Sequence, residues 1–300
     1  MSRSTILIMT LTAGIFAVAP IALAQAPQGA PPGKGKGGGG QPVQPIKQVK
    51  PGLHMVGGAG ANAVIRVTSE GVILVDGKLP SDQNYNDLMA QIKTVTNQPI
   101  KYMIVTHHHQ DHTGNNAKFL EAGIPIIGHE NLKKNLLTYQ ATPLPASPTI
   151  TYATDYVVRL GGAEARLYHY GRAHTSGDTV VYFPDLKVVQ VSDVITLANP
   201  PNVDFGGGGS AVETRQVVDS ILKLDFDTAI PGNGDPITRA DVQGFKTKFD
   251  TMISRAADLV RKGVPKDQLM AQLKLDDLGW RLNLAGDRLD AFYEEVSKVK

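Results

Sequence analysis

Between positions 106 and 114 the chain reads Thr-His-His-His-Gln-Asp-His-Thr-Gly. Four of the eight histidines and one aspartate fall within the six positions from His107 to His112. His107 and His109 are two residues apart, so in an extended stretch both rings point the same way. Asp111 and His112 follow where Thr113-Gly114 supplies a turn, and they address a second point a few ångströms further on. Borderline imidazoles with a hard carboxylate suit zinc, and also manganese or iron. His108 stands between two candidate ligands and is expected to point away, toward solvent or into a supporting role. A histidine tract that collects metal adventitiously, or a polar loop with no ligand, does not account for so many ligand-type residues directly after an apolar strand.

Composition narrows the chemistry from the other side. There is no cysteine among 300 residues. That excludes a disulfide scaffold, a thiolate nucleophile, a CxxC redox pair and any sulfur-ligated zinc. Positions 1–50 carry Arg3, Lys34, Lys36, Lys47 and Lys50 and no acid, which leaves the other 250 residues net −3. The basic sequence pI therefore belongs to the N-terminal arm, and the folded part carries no nucleic-acid footprint.

The elements that must position the cluster follow from periodicity. Residues 1–24 resemble a secretory signal: Arg3, an apolar run over 6–23, and Ala22-Leu23-Ala24 as a small-residue cleavage site. An uncleaved anchor is the alternative, weakened by Thr10, Thr12 and Pro20. Residues 25–50 read as a Pro/Gly/Lys-rich flexible linker, and 51–300 as the folded domain. Its first half gives a hairpin over 63–75, a helix capped at Ser81 or Asp82, and a buried strand at 102–105 directly before the histidines. A helix over 116–121, a strand over 124–127 and a helix over 130–139 follow. The second half gives strands near 149–152, 155–160, 165–170, 179–183 and 188–191, then a helix over 211–223 and a strand at 227–230. Helices over 238–262, 265–273 and 286–299 close the chain. Strands running into strand–helix alternation, twice over, predict an α/β (α+β) fold: two sheets face to face with helices outside, a four-layer αββα sandwich.

The HxHxDH run after an apolar strand resembles the signature of the metallo-β-lactamase superfamily, and four further motifs occur in that family's order. Asp76 in Ile-Leu-Val-Asp-Gly is similar to an early strand-end aspartate. His174 in Gly-Arg-Ala-His-Thr-Ser-Gly-Asp looks like the next histidine motif, Asp193 like a later bridging aspartate, and Pro231-Gly232-Asn233-Gly234 like a final Pro-Gly-His-Gly. The resemblance spans roughly 51–240 and mixes features of the cysteine-free third β-lactamase subclass with the glyoxalase-II-like branch. It implies a first metal site of His107, His109 and His174, and a second begun by Asp111 and His112 with Asp193 bridging. Asp76 would support a ligand from behind. Asn233 replaces a histidine the family uses, so the second site is expected to be weak, with Asp235 as another candidate oxygen.

The resemblance implies an exported metal-dependent hydrolase, with zinc the expected cofactor and iron or manganese as alternatives. A hydroxide made at the metals, oriented by Asp111, would attack a small-molecule ester, lactone, thioester or amide. β-Lactam cleavage is one alternative. A second is a mononuclear iron oxygenase of the persulfide-dioxygenase type, built on His107 or His109 with His174 and Asp193. A third is an inactive binding protein on the same fold. Asn202, Asp204 and Phe205, ahead of the Gly206–Gly209 run, are expected to form a mobile substrate loop over the metals. His54, His129, His169 and Trp280 are expected to be structural. No nucleic-acid partner and no stable membrane insertion after signal cleavage are expected.

Overall fold

A computed structural model describes residues 40–299, so residues 1–24, expected to be a secretory signal, and most of the expected linker lie outside the described residues. The first sheet runs β1 (Lys47–Lys50), β2 (Leu53–Val56), β3 (Ala63–Val67), β4 (Val72–Val75), β5 (Ile100–Ile104), β6 (Ile126–His129) and β7 (Ile150–Tyr152), in that spatial order. Pairing is antiparallel from β1 to β4 and parallel from β4 to β7. The second sheet holds β8 (Asp155–Leu160), β9 (Ala163–Tyr168), β10 (Val180–Phe183), β11 (Val188–Ser192), β12 (Thr228–Pro231) and β13 (Ile237–Thr238), also in sequence order. Only its β11–β12 pair is parallel.

Strand alternation explains the layering. In β4, Ile73 and Val75 face the second sheet, whereas Val72 and Leu74 pack under α1 (Asp82–Lys93), α3 (Asn116–Glu121) and α4 (Glu130–Leu136). In β10, Val181 and Phe183 join the layer between the sheets. Val180 and Tyr182 instead pack with α5 (Thr214–Ile221), α6 (Arg239–Arg261), α7 (Lys266–Gln272) and α8 (Gly286–Ser297). Strands covered on both faces read as continuous apolar runs, because every side chain meets a core. The αββα sandwich is therefore as expected.

Helix starts follow the capping chemistry in the sequence. Ser81 accepts from the Asn84 N–H at 2.9 Å, and Thr238 and Asp241 form a reciprocal capping box on α6. Three strands escaped periodicity. β1 begins inside the stretch read as linker, its polar Lys-Gln-Val-Lys suiting an exposed sheet edge. Lys47 pairs with Asp235 and Lys50 with Asp227, each at 2.9 Å. β2 and the two-residue β13 carry no β-branched run long enough to register. Trp280 is a core anchor, its Nε1–H donating to the Leu197 carbonyl at 3.1 Å.

His129 caps α4. Its Nδ1 accepts from the Asn131 N–H at 3.2 Å and its Nε2–H donates to the Ala153 carbonyl at 2.7 Å. The ring stacks on His169 at 3.7 Å. A proton on Nδ1 would confront the Asn131 donor, so only the neutral tautomer fits. Burial, aided by His169, lowers the ring from 6.5 to about 4. The unfolded chain takes its proton near pH 6.5 and the folded one only near 4, so this residue's stabilisation is present above the upper value and lost as pH falls through the window. His129→Gln is expected to flatten that part of the stability–pH profile, read by denaturant melts between pH 4 and 7; an unchanged slope would contradict the assignment.

Candidate metal centre

The candidate residues converge where strands of both sheets end, as in other open α/β sheets. Asp76 follows β4 and Thr106-His107 follows β5. Ser192 ends β11 with Asp193 after it, and Gly232 follows β12. His174 comes from the loop between β9 and β10. His109 stands at the N-cap of α2 (Gln110–Thr113) and His112 lies within it.

Three imidazoles face one point. His107 Nε2 lies 3.1 Å from His109 Nδ1, and His174 Nε2 lies 3.0 Å from the same atom. The outer nitrogens are occupied: His109 Nε2–H donates to Asp204 Oδ2 at 2.8 Å, and His174 Nδ1–H donates to the Asn202 carbonyl. Those bonds fix the tautomers so that lone pairs point inward. Burial, then the neighbouring imidazoles, hold His107 well below 6.5. Burial, against the pull of Asp193, brings His174 to about 4. Both rings are thus in the neutral form that binds metal. Nitrogens about 2.0–2.1 Å from a tetrahedral zinc lie about 3.3–3.4 Å apart, so the triad fits such an ion with small adjustment.

The second cluster is built on Asp76, which is fully buried with φ of +64°. Its carboxylate accepts from the Thr106 N–H and hydroxyl, each at 2.9 Å, from His112 Nδ1–H at 2.8 Å and from the Gln190 amide at 3.3 Å. His112 Nε2 is consequently aimed between Asp111 at 3.5 Å and Asp193 at 3.7 Å. It is buried and has no hydrogen-bond partner. Burial alone would lower His112, but Asp111 and Asp76 override it and raise the ring well above 6.5. Asp193 is held well below the usual carboxylate range: burial opposes this, but the neighbouring His112, His174 and His109 rings prevail. A field that draws a proton onto a buried histidine is equally suited to a divalent cation. His107, His112 and Asp193 lie within ligating distance of one another, as do His107, His109 and His174. The six expected ligands other than Asn233 are brought together, and Asp76 sits behind His112.

The last motif behaves differently. Gly232 packs so tightly that a Cβ there would fall 1.7 Å from Asp193 Oδ1. Asn233 follows on the exposed surface, and Asp235 is paired with Lys47.

The stretch expected to form the substrate loop also makes contacts behind the candidate ligands. Asn202 gives its carbonyl to His174, Asp204 takes His109, and Phe205 packs toward the second-sheet core. These residues pack behind the candidate ligands, in a loop that is tied down. Gly207 accepts from the Asn135 amide at 2.9 Å and the Ser176 N–H at 2.9 Å. A Cβ on Gly209 would lie 2.4 Å from the His174 carbonyl, so the glycines serve close approach rather than mobility. His108 is buried against Asp204, Asn135 and Tyr139, in the supporting rather than the solvent role. Asp204→Asn weakens the acceptor for His109 and is expected to cost about 10- to 100-fold in metal affinity. Zinc titration of the variant checks this, and an unchanged affinity would contradict it.

Sequence reasoning missed Asn62, Lys78, Asp178, Gln190 and Ser192. Asp178 is buried, accepts from the Thr175 N–H and hydroxyl, and is pushed up to about 7 by burial. Its place in Thr-Ser-Gly-Asp was the one available signal. Lys78 is 0% exposed and donates to the carbonyls of Val56, Gly58 and Ala61 at 2.5, 3.0 and 2.6 Å. Burial pulls it down to about 7 against Asp76 and Asp111, while its three acceptors match the three N–H groups of the ammonium. Nothing in the sequence marks that lysine as buried.

A family model described as the metallo-beta-lactamase superfamily matches residues 56–233. Over 57% of this chain and 51% of the relative, identity is 28% to the 2,4-dinitroanisole O-demethylase subunit alpha of Nocardioides sp. strain JS1661. Identity is 32% to the metallo-beta-lactamase IND-1 of Chryseobacterium indologenes, over 43% of this chain and 52% of that one. The chain thus spans about half the length of these curated relatives. Among solved structures, a metallo-beta-lactamase from Pontibacter korlensis superposes with a TM-score of 0.61 at 19% identity, covering 69% of this chain and 99% of that one. A double mutant of the sec-alkyl sulfatase PisA1 gives 0.68 at 17% identity, covering 86% and 51%. At such identities these two share the fold.

Proposed function

The chain belongs to the metallo-beta-lactamase superfamily, and from that premise we propose that it is an exported, zinc-dependent hydrolase acting on a small molecule with a carbonyl or related electrophilic centre. The observation that carries the reading is the inward-facing triad of His107, His109 and His174 beside the unpartnered Nε2 of His112. A divalent ion held there supplies Lewis acidity, toward a substrate oxygen and toward water. The residues do the rest. Asp204 and the Asn202 carbonyl keep His109 and His174 in the ligating tautomer. Asp111, its side chain 30% exposed beside His112, is placed to orient a water and take its proton at Oδ2. Thr106 and Asp76 hold His112 against them.

The second position binds more weakly than the first, because it has His112, Asp111 and Asp193 but Asn233 where a further imidazole would strengthen it. Among the described residues no helix is long and apolar enough to cross a membrane; export rests on the N-terminal sequence. The likeness to IND-1 favours β-lactams, and the likeness to the O-demethylase subunit favours activated aryl ethers.

The test is a panel of an ester, a lactone, a thioester, a chromogenic cephalosporin and 2,4-dinitroanisole, assayed before chelation, after it, and with zinc restored. Cleavage of at least one, lost with the metal and regained with it, is expected. Failure to cleave any, or cleavage that survives both chelation and His107→Ala, would contradict the proposal.

A further inference from the structure

We propose that Lys78 is a positioning residue for the second metal position, and that its ammonium does this by bracing the 57–62 loop. The inference rests on the reading that Asp111, His112 and Asp193 hold that second ion.

The geometry runs outward from one atom. Lys78 Nζ gathers the carbonyls of Val56, Gly58 and Ala61 from three points along one turn, a single side chain tying all three together. The turn is strained: Ala59 sits at φ +48°, Gly60 at +98°, and Lys78 itself at +73°. Left-handed backbone at non-glycine residues persists only where the surroundings impose it. Here the imposed shape serves two contacts.

One contact is with Asp111. Gly60 packs so closely that a Cβ on it would lie 2.6 Å from the Asp111 Cβ, and the Ala61 N–H donates to the Asp111 carbonyl at 3.4 Å. The other is with the turn under Asp193. Asn62 donates its side-chain amide to the carbonyls of Pro231 and Gly234, each at 2.9 Å, and its backbone N–H to the Gly232 carbonyl at 2.7 Å. Gly232 in turn rests against the Asp193 carboxylate. One buried cation thus shapes a loop that touches both carboxylates of the second position. None of these contacts reaches His107, His109 or His174, whose outer partners are Thr106, Asp204 and Asn202. The loop therefore acts selectively on the second position.

The test compares wild type with Lys78→Met, which keeps the stem and removes the donors, and with Asn62→Ala, which cuts the loop's other end. Two measurements are made. Zinc titration of the metal-free protein is expected to show the second equivalent weakened about 10- to 100-fold in either variant, as for loss of an outer partner, with the first changed less than about threefold. Hydrogen exchange on metal-free protein is expected to show faster exchange at 57–62 and 231–234 in Lys78→Met, with the triad's segments unchanged. Equal weakening of both equivalents, or full retention of both, overturns the proposal. Should Lys78→Met fail to fold, Asn62→Ala carries the same expectation for both readouts. A wild-type chain that takes up a single equivalent contradicts the two-position reading instead; the bracing role then stands or falls on exchange, and unchanged exchange at 57–62 and 231–234 overturns it.

Discussion

His107→Ala is expected to lose metal more completely than any other single substitution in this protein. The ring is 1% exposed and belongs to both ligand clusters, with His109 and His174 on one side and His112 and Asp193 on the other. Its centroid lies 4.7, 4.0 and 4.6 Å from those of His109, His112 and His174. Removing an outer partner of a metal ligand typically costs about 10- to 100-fold in affinity, and removing the ligand itself must exceed that. Any metal-dependent turnover should fall with it. The metal-free fold should survive, because outside the cluster the ring's side-chain contact is Thr106 Oγ1 at 3.3 Å. Zinc titration and far-ultraviolet circular dichroism on one sample check both halves. Retained tight binding would mean that the ion sits elsewhere.

Asp76→Ala is expected to be the most damaging change to stability. It strips a fully buried carboxylate from four donors: the Thr106 N–H and hydroxyl, His112 Nδ1–H and the Gln190 amide. Each buried donor left without a partner costs about 1–3 kcal/mol, and breaking a buried ion pair by removing one member costs about 3–5 kcal/mol. Overlap and relaxation within one network keep the total near about 3–5 kcal/mol, roughly 6–20 °C in melting temperature for a domain of this size. Alanine also sits poorly at φ +64°. Asp76→Asn tolerates that backbone better and keeps one acceptor oxygen, but turns a donor toward groups that already donate. It should melt between wild type and Asp76→Ala while losing zinc affinity through the freed His112. Equal melting temperatures for Asp76→Ala and wild type would contradict the central place of this carboxylate.

The sequence showed the candidate ligands more clearly than their supports. His107, His109, Asp111 and His112 are legible because ligand-type residues crowded directly after an apolar strand add nothing to a core and suit coordination. His174 and Asp193 needed the resemblance, since single residues in separate loops carry no local pattern. The αββα layering was legible from strands running into strand–helix alternation in each half of the chain, and the structure shows runs such as 72–75 and 180–183 buried at every position between two cores. What remained hidden is what is contributed across long sequence separations. Asp204 meets His109 95 residues away, and Asn62 meets Pro231 169 residues away. Lys78 was hidden because a lysine after a turn is ordinarily exposed, and only the folded loop supplies its three carbonyls. At 206–209 the close packing of the glycines was hidden because glycine serves both freedom and close approach, and sequence does not distinguish the two.

That His107, His109 and His174 form a metal-binding centre is tested most directly by metal analysis of the chain purified without chelator and dialysed exhaustively. About one equivalent of zinc is expected to be retained per wild-type chain, with a second taken up only on titration, and neither retained by His107→Ala. Wild-type protein that emerges metal-free and fails to bind added zinc, or His107→Ala that retains as much as wild type, would contradict the assignment.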